Sequence, residues 1–257
     1  MDGRLLQKAL RSPCMWGALI RLSFARLLGK PSVILRRNGL CLEVGTGPGQ
    51  GAWSGVAGDD YEPELVPWLA RLGPGQVVVD IGANIGVFSL RASRRVGPNG
   101  RVISFEPISQ TCGRLRKNAD ANDCSNITIL EKAVGDAVGK IKIRTSGHLS
   151  SASITNPSFV HATEVELTTL DEETGRLGLS RVDAIKMDIE GAEPLAIRGM
   201  AGVLSAHRPL ILFENGTAGG ETSRLLEAFG YEIGSYDSDQ SWVFNKTAGN
   251  LFARPKC

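Results

Sequence analysis

From residue 76 onward, short apolar runs alternate with segments of helical pattern, and this alternation constrains the fold more than any other feature of the sequence. The apolar runs are Val77–Val79, Val102–Phe105, Ile127–Leu130, Ala184–Met187 and Leu210–Phe213. The helical segments predicted between them are Ile85–Arg95, Ser109–Ala121, Glu193–Ala206 and Glu221–Phe229. Such alternation is typical of a parallel sheet covered by helices on both faces. The sequence therefore predicts an α/β domain over residues 60–257, with an antiparallel edge hairpin formed by Tyr231–Ser235 and Trp242–Phe244.

The stretch between Leu130 and Val182 departs from this pattern. It contains two strand-like alternations, Lys140–Arg144 and Val165–Leu170, on either side of a serine-rich loop. We interpret residues 138–172 as an insertion over the ligand face of the sheet, where such segments often carry specificity.

Residues 1–59 are predicted as a basic N-terminal arm with an amphipathic helix and a β-hairpin. The hairpin is indicated by Asn38-Gly39, a dipeptide that favours a tight turn, between Val33–Leu35 and Leu40–Val44. Residues 1–40 have eight basic side chains and one acid, Asp2, for a net charge of +7. The basic residues are Arg4, Lys8, Arg11, Arg21, Arg26, Lys30, Arg36 and Arg37.

On a helix, Trp16, Ile20, Phe24 and Leu27 would form one apolar stripe. Such a stripe most often packs on its own domain, and we favour that interpretation. The alternative is a peripheral surface within residues 1–40 for an anionic membrane or a partner protein.

The amino-acid composition argues against several classes of protein. The net charge of the whole chain is only +2, which argues against a dedicated nucleic-acid binder. The five cysteines are scattered without a CxxC pair, and no apolar run is long enough to span a membrane. These features favour a cytoplasmic protein.

Two glycine-rich turns compete as the nucleotide-binding loop: Leu42–Gly49 and Val79–Gly86. Context favours the second, because a plausible helix follows Gly86 and an acid, Glu106, lies twenty residues beyond it. A carboxylate at that spacing accepts hydrogen bonds from ribose hydroxyls in nucleotide-binding folds.

The same loop indicates the kind of nucleotide. Gly82 and Gly86 are two glycines where a dinucleotide site would have three, and Asp80 just before them disfavours an anionic pyrophosphate. An acid at this place suits the positive charges of S-adenosylmethionine. A nicotinamide-dependent oxidoreductase remains an alternative.

Charged residues alternate with apolar ones at the end of the run that begins at Ala184. Lys186, Asp188 and Glu190 should share one side of this strand, although a central parallel strand is normally apolar on both faces. Charges in such a place should be paired or face a wet cleft. A purely structural Lys186–Asp188 ion pair is the competing interpretation.

The next strand ends in Glu214-Asn215, so carboxylates are predicted at the same sheet edge. Methyl transfer to a hydroxyl needs a base, or a divalent cation that lowers the hydroxyl pKa. We therefore predict Asp188, Lys186, Glu190 and Glu214 as catalytic residues. As a minority hypothesis, Asp188, Glu214 and Asn215 would form an oxygen-ligand set for Mg²⁺.

With these segments placed, the chain resembles the FkbM family of methyltransferases over about residues 60–255. The matching stretches are Tyr61–Glu64, Val79–Gly86, Phe105–Pro107, Ala133–Asp136, Thr169–Asp171, Lys186–Glu193 and Asn250-Leu251. The resemblance implies a Rossmann-like class I methyltransferase fold, with a mostly parallel, doubly wound sheet of seven strands. It also implies S-adenosylmethionine as methyl donor, and O-methylation of sugars, glycolipids, polyketides or related small molecules.

The resemblance also implies roles for individual residues. The loop residues Asp80, Gly82, Asn84 and Gly86 would hold the methionine end of the cofactor, and Glu106 would hold the ribose. Ala133 and Val134 would lie beside the adenine, and Asp188 nearest the methyl group. Ala83 and Pro107, within the matching stretches, complete the predicted cofactor site. A non-catalytic S-adenosylmethionine-binding module is the remaining alternative.

Overall fold

The computed structural model describes residues 13–47, 65–145, 152–153, 161–215, 219–236, 241–244 and 249–256. Its helices are α1 (Pro13–Leu27), α2 (Leu65–Leu69), α3 (Val87–Val96), α4 (Ser109–Asp120), α5 (Leu170–Arg176), α6 (Glu193–Arg198), α7 (Ala201–His207) and α8 (Gly219–Ala228). The first seven strands are β1 (Ser32–Arg37), β2 (Leu40–Gly45), β3 (Val77–Ile81), β4 (Arg101–Phe105), β5 (Ile127–Leu130), β6 (Ala133–Val134) and β7 (Gly139–Thr145). The others are β8 (Ala152–Ser153), β9 (His161–Thr168), β10 (Ala184–Met187), β11 (Leu210–Glu214), β12 (Tyr231–Tyr236), β13 (Trp242–Val243) and β14 (Asn250–Pro255).

The main sheet has, within these residues, eight strands in the order β13-β12-β14-β11-β10-β3-β4-β5. Strands β5, β4, β3, β10 and β11 pair in parallel, which confirms the predicted alternation. The chain runs outward from β3 to β5 and then returns to β10 on the other side of β3. This reversal between β3 and β10 is a topological switch point, the place where open α/β sheets bind ligands.

The edge of the sheet is more complex than predicted. Strands β12 and β13 do pair as an antiparallel hairpin. However, β14 inserts between β11 and β12 and runs antiparallel to both, so the sheet has one strand more than the seven expected.

One helix prediction and one strand prediction were wrong in detail. The segment Glu193–Ala206 forms two helices, α6 and α7. Between them, a Cβ on Gly199 would lie 1.8 Å from the carbonyl oxygen of Gly135, so glycine is required at this close contact. The carboxylate of Asp171 then caps α7 by accepting from Gly202 N and Val203 N, both at 2.8 Å. The strand predicted to reach Leu170 stops at Thr168, where Thr169 caps α5 by accepting from Glu172 N.

The predicted insertion contributes to a second sheet, of order β6-β9-β7-β8 in the described residues. Strand β7 pairs with β9 along its whole length, so both predicted alternations form strands. Part of the serine-rich loop lies outside the described residues.

The predicted hairpin is present as β1 and β2, with Asn38 and Gly39 at φ 49° and 75°. Its Leu35 and Leu42 share a core cluster with Ile85 and Leu90, so the hairpin packs on the α/β domain. Glu43 N donates to Asn118 Oδ1 of α4 at 2.6 Å, which fixes this packing.

Helix α1 packs through small and aliphatic side chains, because Ala18, Leu22 and Ala25 are its buried residues. The predicted stripe Trp16, Ile20, Phe24 and Leu27 is exposed instead. The preference for a stripe packed on the domain was therefore wrong: the helix packs, but through its other face.

Candidate active site

The loops that follow β3 and β10 are pressed together at the switch point. Lys186 and Asp80 are register partners in the adjoining strands, and Asp188 N donates to Ile81 O at 3.1 Å. Gly82 has a φ of 81°, and a Cβ on it would lie 2.0 Å from the carbonyl oxygen of Asp188. Only glycine satisfies both conditions, so the close approach of the two loops explains this residue.

A cleft of about 670 Å³, including its open mouth, lies between these loops and the second sheet. Its polar side chains are Asn84, Glu106, Lys132, Asp188 and Glu190. Its remaining lining is Ile81, Gly82, Phe105, Pro107, Ala133, Val134, Ile143, Ile189 and Ala192. The structure therefore brings eight of the predicted site residues to one cleft: Gly82, Asn84, Glu106, Pro107, Ala133, Val134, Asp188 and Glu190.

Glu106 follows β4 and is only 7% exposed. Its Oε2 accepts from Asn84 N at 3.0 Å, and its Oε1 accepts from Ile108 N at 2.9 Å. Burial raises the pKa of Glu106 to about 7, against the opposing effect of these two backbone bonds. Each carboxylate oxygen keeps a lone pair beyond the bond it already accepts, so the group can still receive hydroxyl donors from the cleft.

Asp80 lies beneath the loop and does not line the cleft. It is completely buried, and it accepts a short hydrogen bond from Ser89 Oγ, which also contacts Ser104 Oγ at 2.8 Å. Burial raises the pKa of Asp80, and the nearby charge of Lys186 opposes this shift. Its surroundings suit a structural anchor of the loop.

Lys186 joins the two loops from below. Its Nζ is 3.6 Å from Asp80 Oδ1 and 3.3 Å from Asp188 Oδ2, and it donates to Gly82 O at 3.2 Å. The Lys186–Asp188 ion pair considered above is therefore present, and it extends to a second carboxylate. The lysine is buried and is not part of the cleft lining.

Asp188 and Glu190 are the acids of the second loop. The side chain of Asp188 is 36% exposed and opens to the cleft. Glu190 has a φ of 54°, and burial, followed by the charges of Asp188 and Glu193, raises its pKa. Glu193 is buried and accepts from Ile189 N at 3.0 Å, so it closes the loop from the start of α6.

Ala83 and Gly86 support the first loop from behind and do not line the cleft. Ala83 N donates to Phe105 O at 2.9 Å, which ties the loop to β4. A Cβ at Gly86 would lie 2.1 Å from Leu115 Cδ1, so this glycine lets α4 pack closely.

Glu214 and Asn215 are also outside the cleft lining. Glu214 pairs in register with Asn250 of β14, and Asn215 N donates to Gly249 O at 2.8 Å. Within the described ranges, the acidic, histidine and cysteine side chains form no group of three or more that could hold a metal ion.

Six residues of the cleft lining were not among the predicted site residues: Ile81, Phe105, Lys132, Ile143, Ile189 and Ala192. Lys132 is held by Glu173, with Nζ 2.7 Å from Oε1, and Ile143 reaches the cleft from β7. The β alternation at Lys140–Arg144 was a signal for Ile143, but the side of the sheet that it faces depends on the pairing of β7 with β9.

The competing glycine-rich turn has a different setting. It follows β2, which among the described strands pairs only with β1 and is separate from the main sheet. Thr46 N and Oγ1 donate to Pro31 O and Lys30 O, which bind this turn to the connection between α1 and β1. Its continuation from residue 48 lies outside the described residues.

The fold and the switch-point cleft define a Rossmann-like class I methyltransferase architecture. The family model of the methyltransferase FkbM domain matches residues 80–233, more than half of the chain. The chain belongs to the FkbM methyltransferase family.

Relatives with curated names match part of this chain. Methyltransferase sdnD of Sordaria araneosa is 27% identical over 164 residues, covering 51% of this chain and 63% of that protein. 2-O-methyltransferase NoeI of Sinorhizobium fredii is 29% identical over 152 residues, covering 52% of this chain and 61% of that protein. AMB antimetabolite synthetase AmbE of Pseudomonas aeruginosa is 28% identical over 209 residues, covering 63% of this chain. The matches thus span about three-fifths of the first two proteins and 10% of AmbE.

Among solved structures, methyltransferase FkbM from Methylobacillus flagellatus superposes with a TM-score of 0.48 at 18% identity. The superposition covers 79% of this chain and 54% of that one.

Proposed function

We propose that the protein is an S-adenosylmethionine-dependent O-methyltransferase that acts on a hydroxyl of a sugar, glycolipid, polyketide or related small molecule. The observation that carries this proposal is the single cleft onto which Gly82, Glu106 and Asp188 all open. Membership of the FkbM family supports methyl transfer. The name of NoeI, a 2-O-methyltransferase, supports oxygen as the acceptor atom.

The residues of the cleft fit the proposed cofactor in charge and shape. Three carboxylates line it, from Glu106, Asp188 and Glu190, and its lysine, Lys132, is already paired with a buried acid. This negative lining suits a ligand with a sulfonium and an amino group. Phe105, Val134 and Ile143 supply apolar walls of the kind that enclose an adenine ring.

When bound, S-adenosylmethionine supplies an electrophilic methyl group. The chain must hold an acceptor hydroxyl in line with that group and take its proton. Asp188 is the best placed residue, because it is partly exposed in the cleft and Lys186 fixes its carboxylate from below. Glu190 is the second candidate base, because burial raises its pKa and makes it more basic than an exposed glutamate.

Calorimetric titration with S-adenosylmethionine and with NADH tests the cofactor. We expect binding of the first only, and a preference for NADH would support an oxidoreductase instead. Incubation with labelled S-adenosylmethionine and a cell extract then tests transfer, and the labelled product identifies the acceptor. Binding without any labelled product would favour the non-catalytic module.

The Mg²⁺ hypothesis has its own test. We expect transfer to continue in excess chelator, because Glu214 and Asn215 lie outside the cleft lining. Loss of transfer in chelator, with recovery on addition of Mg²⁺, would show that an oxygen-ligand site forms after all.

A further inference from the structure

Helix α1 carries a surface that the proposed activity does not use. Trp16, Ile20, Phe24 and Leu27 are between 46% and 81% exposed, and together we call them the α1 stripe. Their spacing places them along one side of the helix. Leu28, just after the helix, is also exposed, at 54%. Isolated exposed apolar residues are ordinary, but a contiguous group of large ones marks an interaction surface.

The stripe is not a core face left uncovered by poor packing. The helix already packs on the domain through Ala18 and Leu22, which belong to the core cluster of the hairpin. Moreover, Arg26 Nε donates to Thr46 O at 2.6 Å, which fixes the end of the helix on the turn after β2. The helix is therefore anchored in an orientation that directs its large apolar side chains outward.

The charges around the stripe indicate which kind of partner this surface binds. No acid occurs in α1, and its basic residues, Arg21 and Arg26, flank the stripe on either side. Lys30 and Arg36 follow as exposed cations in the same hairpin unit. The one acid in residues 13–47, Glu43, is engaged with Lys117 of α4. Large apolar side chains flanked by cations are typical of helices that lie in the headgroup region of an anionic bilayer.

The arrangement suits a helix that lies in the headgroup region of a membrane. Helix α1 has 15 described residues, fewer than the ~20 that a transmembrane helix needs. No helix in the described part of the chain is long and apolar enough to span a bilayer. A bound helix of this type buries its apolar side chains while its anchored face stays on the protein.

We propose that the α1 stripe and its flanking cations form a docking surface for anionic lipid membranes. The inference is independent of the proposed methyl transfer, because it concerns a surface remote in sequence from the cleft residues and is tested by binding alone. Arg4, Lys8 and Arg11, which lie outside the described residues, add positive charge in the adjoining sequence.

The test is co-sedimentation of the full chain with vesicles of phosphatidylcholine alone or mixed with phosphatidylglycerol. We expect binding to the anionic vesicles, weakened by high salt. Phe24→Ser should lower partitioning at least about tenfold, the worth of removing one large buried apolar side chain. The double variant Arg21→Gln, Lys30→Gln should lower partitioning about 30-fold, because each cation near an anionic surface strengthens membrane binding about fivefold and two are lost.

Matched control variants distinguish binding through the α1 stripe from nonspecific adsorption to the vesicles. Phe244→Ser removes another exposed phenylalanine, and Arg95→Gln another exposed arginine, both outside α1. Neither should change partitioning. Failure to bind anionic vesicles, or equal losses in stripe and control variants, would overturn the proposal. So would sedimentation velocity that shows self-association abolished by Phe24→Ser without vesicle binding, because the stripe would then meet a second copy.

Discussion

Two groups of polar side chains lie at the same carboxyl edge of the main sheet, near the ends of β3, β4 and β10, and their surroundings are opposite. Glu106, Asp188 and Glu190 open to the cleft, whereas Asp80 and Lys186 are enclosed beneath the loop that Gly82 begins. Position along the strand accounts for the difference. Asp80 and Lys186 lie within β3 and β10, on the sheet face of Val78 and Ala184 that α2 and α3 cover, while Glu106, Asp188 and Glu190 lie in the loops that follow β4 and β10. An acid after an apolar run therefore marks a sheet edge, but whether it lies within the strand or beyond its end decides whether it meets the cleft.

Removal of the acid that opens to the cleft should have the largest effect. Asp188→Ala should lower the turnover number by about 10²–10⁴-fold, the usual contribution of a positioned base. Cofactor affinity and stability should change little, because Asp188 is partly exposed. Rates under saturating cofactor measure this, and retained turnover would move the base to Glu190 or elsewhere.

The enclosed group should behave in the opposite way. Lys186→Met leaves Asp80 buried without its cation and should lower the free energy of unfolding by about 3–5 kcal/mol. Loss of the lysine raises the pKa of Asp80 further above its unfolded value. The native state then holds a proton that the unfolded state releases, so stability should fall further as pH rises.

Urea unfolding at two pH values measures both effects. The control is Lys117→Met, which breaks an exposed pair with Glu43 and should cost less than ~1 kcal/mol. Equal losses in the two variants would show that the enclosed group has no special structural role.

Glu106 combines the two settings, because it is buried and also opens to the cleft. Glu106→Ala should weaken cofactor binding by ~1.5–3 kcal/mol, the value of hydrogen bonds to a charged group. Ribose hydroxyls would donate to the ionised carboxylate, whose pKa burial raises to about 7. Binding therefore favours the deprotonated form, and affinity should fall as pH drops below about 7. Calorimetry across this range checks the slope, which should disappear in Glu106→Gln.

Much of the framework could be predicted because its signals are local. The apolar runs coincide with the strands β3, β4, β5, β10 and β11. The turn at Asn38-Gly39 was predictable because both residues tolerate positive φ. Glu106 and Asp188 could be placed at the cleft because parallel strands bring their carboxyl ends to one edge.

The remaining features depend on contacts between distant segments. Gly199, where the helical segment divides, packs against the backbone of Gly135, about sixty residues earlier, and a helical pattern alone does not reveal this contact. Strand β14 pairs on both sides with strands that precede it. The α1 stripe showed the correct periodicity, but periodicity does not tell which of two apolar faces meets the domain.

The proposed function requires that the loops after β3 and β10 hold one S-adenosyl nucleotide between them. A crystal structure with S-adenosylhomocysteine tests it most directly. We predict ribose hydroxyls within hydrogen-bond distance of Glu106 and the sulfur beside the Gly82–Asp188 contact. A nucleotide bound at the turn after β2, or on the face of Asp80 and Lys186, would contradict the account.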